Sequence, residues 1–196
     1  MKKVLTVKNM AVIAILGVLG AILMIFNFPV TIAPSFYKMD LSDLPCLIGA
    51  FALGPIPALF IEIIKIIVKL LIKPTSTAFV GELAAFIISS SFVLSASFIY
   101  QKNKTKNNAI KAMVIATIIM SLIATIANYT FIIPFYVKMY NLPLETIIDM
   151  GKAIFPIIDD KLSFVLCCVL PFNIIKGTIT SIVTFIIYKR ISILLK

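Results

Sequence analysis

The stretch Pro171-Phe172-Asn173-Ile174-Ile175-Lys176-Gly177 places an amide and an ammonium group inside an apolar run that covers residues 162–188. A charged side chain at the centre of a bilayer costs about 2.5–3.5 kcal/mol on insertion scales, so it usually faces a cavity or a partner. Asn173 and Lys176 are three residues apart and therefore point toward the same side of a helix. The stretch predicts a membrane helix with one polar, functional face.

The composition of the whole chain also indicates a membrane protein. Of its 196 residues, 61% are hydrophobic and 13% are charged, and the mean hydropathy is +1.13. Soluble domains carry roughly 25% charged residues. Because each helical crossing takes about 20 residues, we expect residues 1–196 to form a single all-α integral membrane domain of about six transmembrane helices.

The net charge of +10 comes from basic residues at the ends of apolar runs. Such clusters are typical of cytoplasmic loops and indicate topology rather than nucleic-acid binding. We therefore predict a multi-pass cell-membrane protein with both termini in the cytoplasm. The three clusters are Lys2, Lys3 and Lys8; Lys102, Lys104, Lys106 and Lys111; and Lys189, Arg190 and Lys196.

The sequence has few residues of the types that bind metals or carry out redox chemistry. The chain has no histidine, which removes the commonest metal ligand and general base. Its three cysteines, Cys46, Cys167 and Cys168, lie in apolar stretches without metal or redox spacing, so we expect them to pack. No metal and no cofactor are predicted.

A loop at residues 27–44 interrupts the apolar pattern with Pro29, Pro34 and several polar residues, among them Asp40 and Asp43. Loops this long are uncommon in compact domains unless they cover a site or bind something. Since the first helix leaves the cytoplasm, the loop is expected outside the cell, where it would act as a lid.

Several polar residues interrupt the other apolar segments. Glu62, Lys65 and Lys69 have the spacing of an ion pair on one helix face, and either a structural pair or a ligand contact fits. Glu82 follows Gly81 at a predicted helix start, where the helix dipole favours a carboxylate; capping and ligand contact remain open.

Asn128, Asn173 and Lys176 suit a particular kind of ligand. An amide offers donor and acceptor side by side, whereas lysine offers only donors. Together they fit a neutral, planar molecule with alternating carbonyl and N–H groups and with hydroxyls. They fit hydrolysis poorly.

An enzyme is the less favoured interpretation. Asp159-Asp160 is the sole adjacent acid pair, and the sequence lacks a second acidic motif and a phosphate-binding loop. A small membrane enzyme acting on lipid, with Lys176, Glu82 and Asp160 as catalysts, is kept as an alternative.

The first apolar segment carries small residues that let another helix approach closely. Packing within this protein's own bundle and contact with a partner helix both fit the pattern. The residues are Ala14, Gly17, Gly20 and Ala21.

Five stretches in register resemble one family, the riboflavin-specific substrate-binding (S) components of energy-coupling factor (ECF) transporters. Residues 37–55 are similar to its first outer loop and second helix, and the resemblance extends over nearly the whole chain. The other stretches are Glu62-Ile63-Ile64-Lys65, Gly81-Glu82-Leu83-Ala84, Asn128-Tyr129 with Pro134, and residues 171–177.

The resemblance implies a six-helix S component that captures riboflavin from outside, with its phosphate FMN as a further candidate ligand. Asn128, Asn173 and Lys176 would hydrogen-bond the vitamin. The residues that would line or close the site are Asp40, Leu44, Leu47 and Glu82. An S component for another vitamin, such as thiamine or biotin, is the nearest alternative.

The family also implies partners: a transmembrane coupling protein (EcfT) and two cytoplasmic ATPases that supply the energy. Its first helix docks on the coupling protein, which favours the partner interpretation of Ala14, Gly17, Gly20 and Ala21. Val18 departs from the alanine pattern of that surface, and Ala85 stands where many relatives carry asparagine.

Overall fold

The computed structural model describes residues 6–191. Within them the chain forms nine α-helices, two π-helical turns and one short strand pair, joined by loops. Lys2, Lys3 and Lys196 of the predicted topology signal lie outside these residues, as do the side chains of Lys189 and Arg190. The helices are α1 (Val7–Ile25), α2 (Asp43–Leu53), α3 (Pro55–Ile72), α4 (Val80–Lys102), α5 (Lys106–Ala127), α6 (Ile133–Tyr140), α7 (Leu144–Lys152), α8 (Lys161–Phe164) and α9 (Leu170–Ile191).

Four helical stretches are long and apolar enough to cross a membrane: Val7–Ile25, Val80–Lys102, Lys106–Tyr140 and Lys161–Ile187. Helix α2 is apolar but has only 11 residues, and α3 carries three charged residues along its 18. On length and composition alone, four of the expected spans are therefore present.

The loop between α1 and α2 contains the one departure from an all-helical description of residues 6–191. Strands β1 (Phe28–Pro29) and β2 (Lys38–Met39) pair antiparallel, with Phe28 opposite Met39. Ala33 and Met39 of this loop are buried in an apolar cluster with Phe164 and Phe172. The loop is therefore packed onto α8 and α9.

Helices α2 and α3 are joined by Gly54 alone. Its φ of 104° lies in a region that L side chains rarely adopt, so glycine is required at this turn. Pro55 then opens α3, where its missing N–H has no helical partner to lose. The two helices therefore form a tight pair with a one-residue connection.

Two π-helical turns interrupt the long spans. One covers Asn128–Ile132 between α5 and α6, and the other covers Val165–Val169 between α8 and α9. Each precedes a proline, Pro134 or Pro171, which cannot donate to the carbonyl four residues earlier. The wider turns accommodate that loss, and such turns often mark functional sites.

Helix α1 packs its small residues against α3. A Cβ added at Gly17 would lie 2.5 Å from Ile64 Cγ2, so the two helix backbones approach too closely there for a larger residue. Gly20 and Ala21 are also buried, whereas Ala14 is exposed. Three of the four residues predicted to dock a partner are thus covered by the protein's own fold, because their small size lets α1 and α3 meet.

We expect Gly17→Val to lower the midpoint of thermal unfolding in detergent by about 2–12 °C, because overpacking costs about 1–3 kcal/mol in a chain of this size. Ala14→Leu adds similar bulk on the exposed face of the same helix and should shift the midpoint by no more than about 2 °C. Equal shifts in both variants would contradict the close α1–α3 contact.

Candidate substrate-binding site

Lys176 lies between two carboxylates. Its Nζ is 3.4 Å from Asp40 Oδ2 and 3.4 Å from Asp43 Oδ2. Asp40 comes from the loop between α1 and α2, and Asp43 is the first residue of α2. The charge that the sequence places in an apolar helix is therefore compensated from two other parts of the chain.

Asp43 is the centre of this arrangement. Its Oδ1 accepts hydrogen bonds from Lys65 Nζ at 2.8 Å and from Ser89 Oγ at 2.7 Å. The Lys65 ammonium is in turn 2.6 Å from Glu62 Oε2. We call Asp40, Asp43, Glu62, Lys65 and Lys176 the buried ion cluster; through it and Ser89 the loop is tied to α2, α3, α4 and α9.

The two candidate amides are each anchored to their own helix. Asn128 Nδ2 donates to the Ala124 carbonyl at 2.8 Å, and Asn173 Nδ2 donates to the Val169 carbonyl at 2.8 Å. Asn128 is the first residue of one π-helical turn, and Val169 is the last residue of the other. Asn173 Oδ1 makes no hydrogen bond to any residue in the described range 6–191, so it is available as an acceptor.

Tyr37 connects the loop to Asn128 and to α9. Its hydroxyl donates to Asn128 Oδ1 at 2.7 Å, and its ring centroid lies 5.6 Å from that of Phe172, the neighbour of Asn173. Burial raises the pKa of the Tyr37 phenol well above its ordinary value, so the group stays a donor at physiological pH. Tyr37 thus contacts Asn128 and the α9 residue that precedes Asn173.

Glu82 belongs to a different cluster. It pairs with Lys69 and accepts hydrogen bonds from Thr75 Oγ1 at 2.9 Å and Thr77 Oγ1 at 3.0 Å. Ala78 and Phe79, just before α4, have φ values of 47° and 68°, an uncommon conformation for side chains of this kind. Lys69 pairs with Glu82 and not with Glu62. Lys69 lies one turn beyond Lys65 along α3, and Lys65 is the residue that pairs with Glu62.

The two leucines predicted to line the site differ in position. Leu44 is half-buried next to Asp43, whereas Leu47 is fully buried in the apolar core with Phe51 and Phe92. Leu47 supports the position of α2 in this structure.

Asp43 and Tyr37 are the main residues that were not proposed as site residues from sequence. A signal for Asp43 was present: two lysines in apolar helices need counter-charges, and the chain has only eight acidic residues. The signal for Tyr37 was its place within the loop stretch that resembles the S components.

Comparison with known proteins places the chain in a family. The sequence profile of "ECF transporter, substrate-specific component" matches residues 8–188. The chain belongs to this family.

Relatives and a solved structure agree with that S-component assignment. The riboflavin transporter RibU of Staphylococcus aureus (strain TCH60) is 30% identical over 96% of this chain and 93% of its own length. The riboflavin transporter FmnP of Bacillus subtilis (strain 168) is 28% identical over 94% and 92%. A solved structure of the S component of a bacterial ECF transporter matches with a TM-score of 0.76 at 28% identity, covering 96% of this chain and 98% of the other.

The site of this ECF S component has the chemistry of binding. Amide groups, an ammonium, carboxylates and aromatic rings converge at the loop, whereas catalysis would require a nucleophile beside a base. The acid pair is used structurally: Asp160 caps α8, with hydrogen bonds from Ser163 that lower the pKa of the Asp160 carboxyl, and Asp159 pairs with Lys152 at 3.0 Å. Within residues 6–191 there is no group of three or more potential metal-ligating side chains.

Proposed function

We propose that this chain is the riboflavin-binding S component of an ATP-driven ECF vitamin importer and not an enzyme. The observation that carries the proposal is the 30% identity to a riboflavin transporter over 96% of the chain. Two further riboflavin transporters match over 94% and 96% of the chain.

The ligand contacts follow from the chemistry of the site. The pyrimidine edge of a flavin alternates carbonyl and N–H groups, which two amides can match with both donors and acceptors. We assign Asn128 and Asn173 to that edge and Lys176 to an adjacent carbonyl or to ribityl hydroxyls. Asp40 and Leu44 would close the site, with Glu82 and Leu47 holding the surrounding helices.

The loop at 27–44 would act as the lid of this site. Its Tyr37 already bonds to Asn128, and its Asp40 already pairs with Lys176. Both partners are proposed ligand residues, so ligand entry would exchange lid contacts for ligand contacts. Lid opening and ligand binding would therefore be coupled.

The membrane arrangement that goes with this function has six spans. They are α2, α3 and the four long helical stretches. Both termini would lie in the cytoplasm and the lid outside. The lysine-rich connection between α4 and α5 would mark the cytoplasmic side, and Glu82, at the opposite end of α4, would lie toward the outside.

The energy would come from a transmembrane coupling protein (EcfT) and two cytoplasmic ATPases. With Gly17, Gly20 and Ala21 buried within the protein's own fold, docking on α1 would use its exposed face. That face offers Ala14 together with Ile15, Val18, Leu19 and Ile22.

Flavin binding by the purified full-length chain tests the proposed function. We expect quenching of riboflavin fluorescence at a stoichiometry of one, a flavin absorption spectrum after purification from riboflavin-fed cells, and thermal stabilisation by riboflavin or FMN. Thiamine and biotin should leave the melting midpoint unchanged. Stabilisation by one of those vitamins without any flavin effect would overturn the proposal.

Tyr37→Phe should raise the rate of riboflavin association about 2- to 12-fold, because the ligand-free lid loses a hydrogen bond worth about 0.5–1.5 kcal/mol that ligand entry must otherwise break, but keeps its ring contacts. Stopped-flow fluorescence would measure the rate. Tyr140→Phe deletes a hydroxyl that bonds the Ser76 carbonyl away from the lid and serves as the control. Identical association rates in the wild type and both variants would argue against a lid contact at Tyr37 that ligand entry must break.

A further inference from the structure

A groove of about 430 Å³ runs between α5 and α9, apart from the ion cluster and the amides. Its walls are branched apolar side chains: Ile110, Val114 and Ile118 from α5, and Ile174, Ile182 and Ile186 from α9. All six are exposed in the described structure. Because these helices span the membrane, the groove opens toward lipid.

The length of the groove matches one leaflet. On α9 it extends from Ile174 to Ile186, which is about 18 Å at a rise of about 1.5 Å per residue. Half of a hydrocarbon core of about 30 Å is about 15 Å. A partner helix would be expected to follow the protein across both leaflets, whereas an acyl chain occupies one.

The mouth of the groove is positively charged. Lys106, the first residue of α5, places its Nζ 5.2 Å from the centroid of Phe185, which lines the groove. Lys111 follows on the exposed surface of the same helix. Neither α5 nor α9 contains an aspartate or glutamate, so no carboxylate of these two helices competes for the lysines.

We propose that the α5–α9 groove binds one acyl chain of an anionic phospholipid, with the lipid phosphate paired to Lys106. The apolar walls bind the chain, and the ammonium selects the headgroup charge. This site is independent of the vitamin pocket, so it extends the proposed function without resting on which vitamin is bound. On the proposed topology, the lipid comes from the cytoplasmic leaflet.

The test compares dioleoyl phosphatidylglycerol with dioleoyl phosphatidylcholine, titrated into the purified full-length chain and followed by native mass spectrometry. We expect the wild type to prefer phosphatidylglycerol by about fivefold or more, since one basic residue near the surface contributes about that factor. Lys106→Gln should remove most of this preference. Lys104→Gln, which removes a charge from the same connection, should retain it.

A second variant tests the groove itself. Ile182→Trp fills it and should reduce binding of both lipids at least fivefold, while an unchanged midpoint of thermal unfolding in detergent reports that the variant is folded. The proposal is overturned if Lys106→Gln and Lys104→Gln have the same effect, which would indicate diffuse attraction. It is also overturned if Ile182→Trp binds lipid normally but no longer co-purifies with a coupling protein, since the groove would then hold a protein helix.

Discussion

Asp43→Asn should lower the midpoint of thermal unfolding in detergent by about 6–20 °C. Removing one partner of a buried ion pair costs about 3–5 kcal/mol, and each kcal/mol shifts the midpoint by about 2–4 °C in a chain of this length. Asp43 is 1% exposed and contacts Lys65, Ser89 and Lys176. The substitution therefore leaves two lysines with less compensation inside the bundle.

The matched control for this prediction is Asp159→Asn. Asp159 also pairs with a lysine, Lys152, but its side chain is 77% exposed. Exposed pairs contribute about 0–1 kcal/mol, so the midpoint should fall by no more than about 4 °C. A shift for Asp43→Asn as small as that of the control would mean that the buried ion cluster does not hold the helices together.

Lys176→Ala should weaken riboflavin binding about 10- to 150-fold. A hydrogen bond to a charged group contributes about 1.5–3 kcal/mol, and this variant removes the proposed ammonium contact. Asn173→Ala, which removes a neutral contact, should weaken binding about 2- to 12-fold. Isothermal titration or fluorescence quenching measures both dissociation constants.

Stability measurements on the same variants separate ligand contact from folding. Lys176→Ala should lower the unfolding midpoint less than Asp43→Asn, because Asp43 keeps its contacts with Lys65 and Ser89. The loss of the Lys176 contacts with Asp40 and Asp43 should still lower the midpoint measurably. Lys152→Ala removes an exposed lysine that pairs with Asp159, so it should lower the midpoint by no more than about 4 °C and leave riboflavin binding unchanged. Normal riboflavin binding by Lys176→Ala would remove the lysine from the proposed site.

Local signals predicted much of the candidate site. The apolar run around Asn173 and Lys176 forms the predicted helix. Glu62 and Lys65 form the ion pair that their spacing predicted. These features depend on neighbours within a few residues, which is why sequence reasoning could find them.

The small residues of α1 illustrate the opposite case. A pattern of Gly17, Gly20 and Ala21 predicts that something packs closely, but it does not say whether that is a partner or the protein itself. The answer depends on α3, whose Ile64 meets Gly17. Likewise, the place of Glu82 apart from Lys176 depends on the fold of the connection before α4, whose Thr75 and Thr77 bond to Glu82.

By itself, the sequence determined a polyhelical membrane protein with an amide and a lysine on one face of the stretch Pro171-Phe172-Asn173-Ile174-Ile175-Lys176-Gly177, because hydrophobicity and helical spacing are local properties. The tertiary structure alone decided that Lys176 is paired, and with which carboxylates. Asp40 and Asp43 lie more than a hundred residues earlier in the chain, and only the folding of the loop and α2 against α9 brings them within 3.4 Å of its ammonium. Burial makes such pairing necessary, but the partner is set by the packing of the helices.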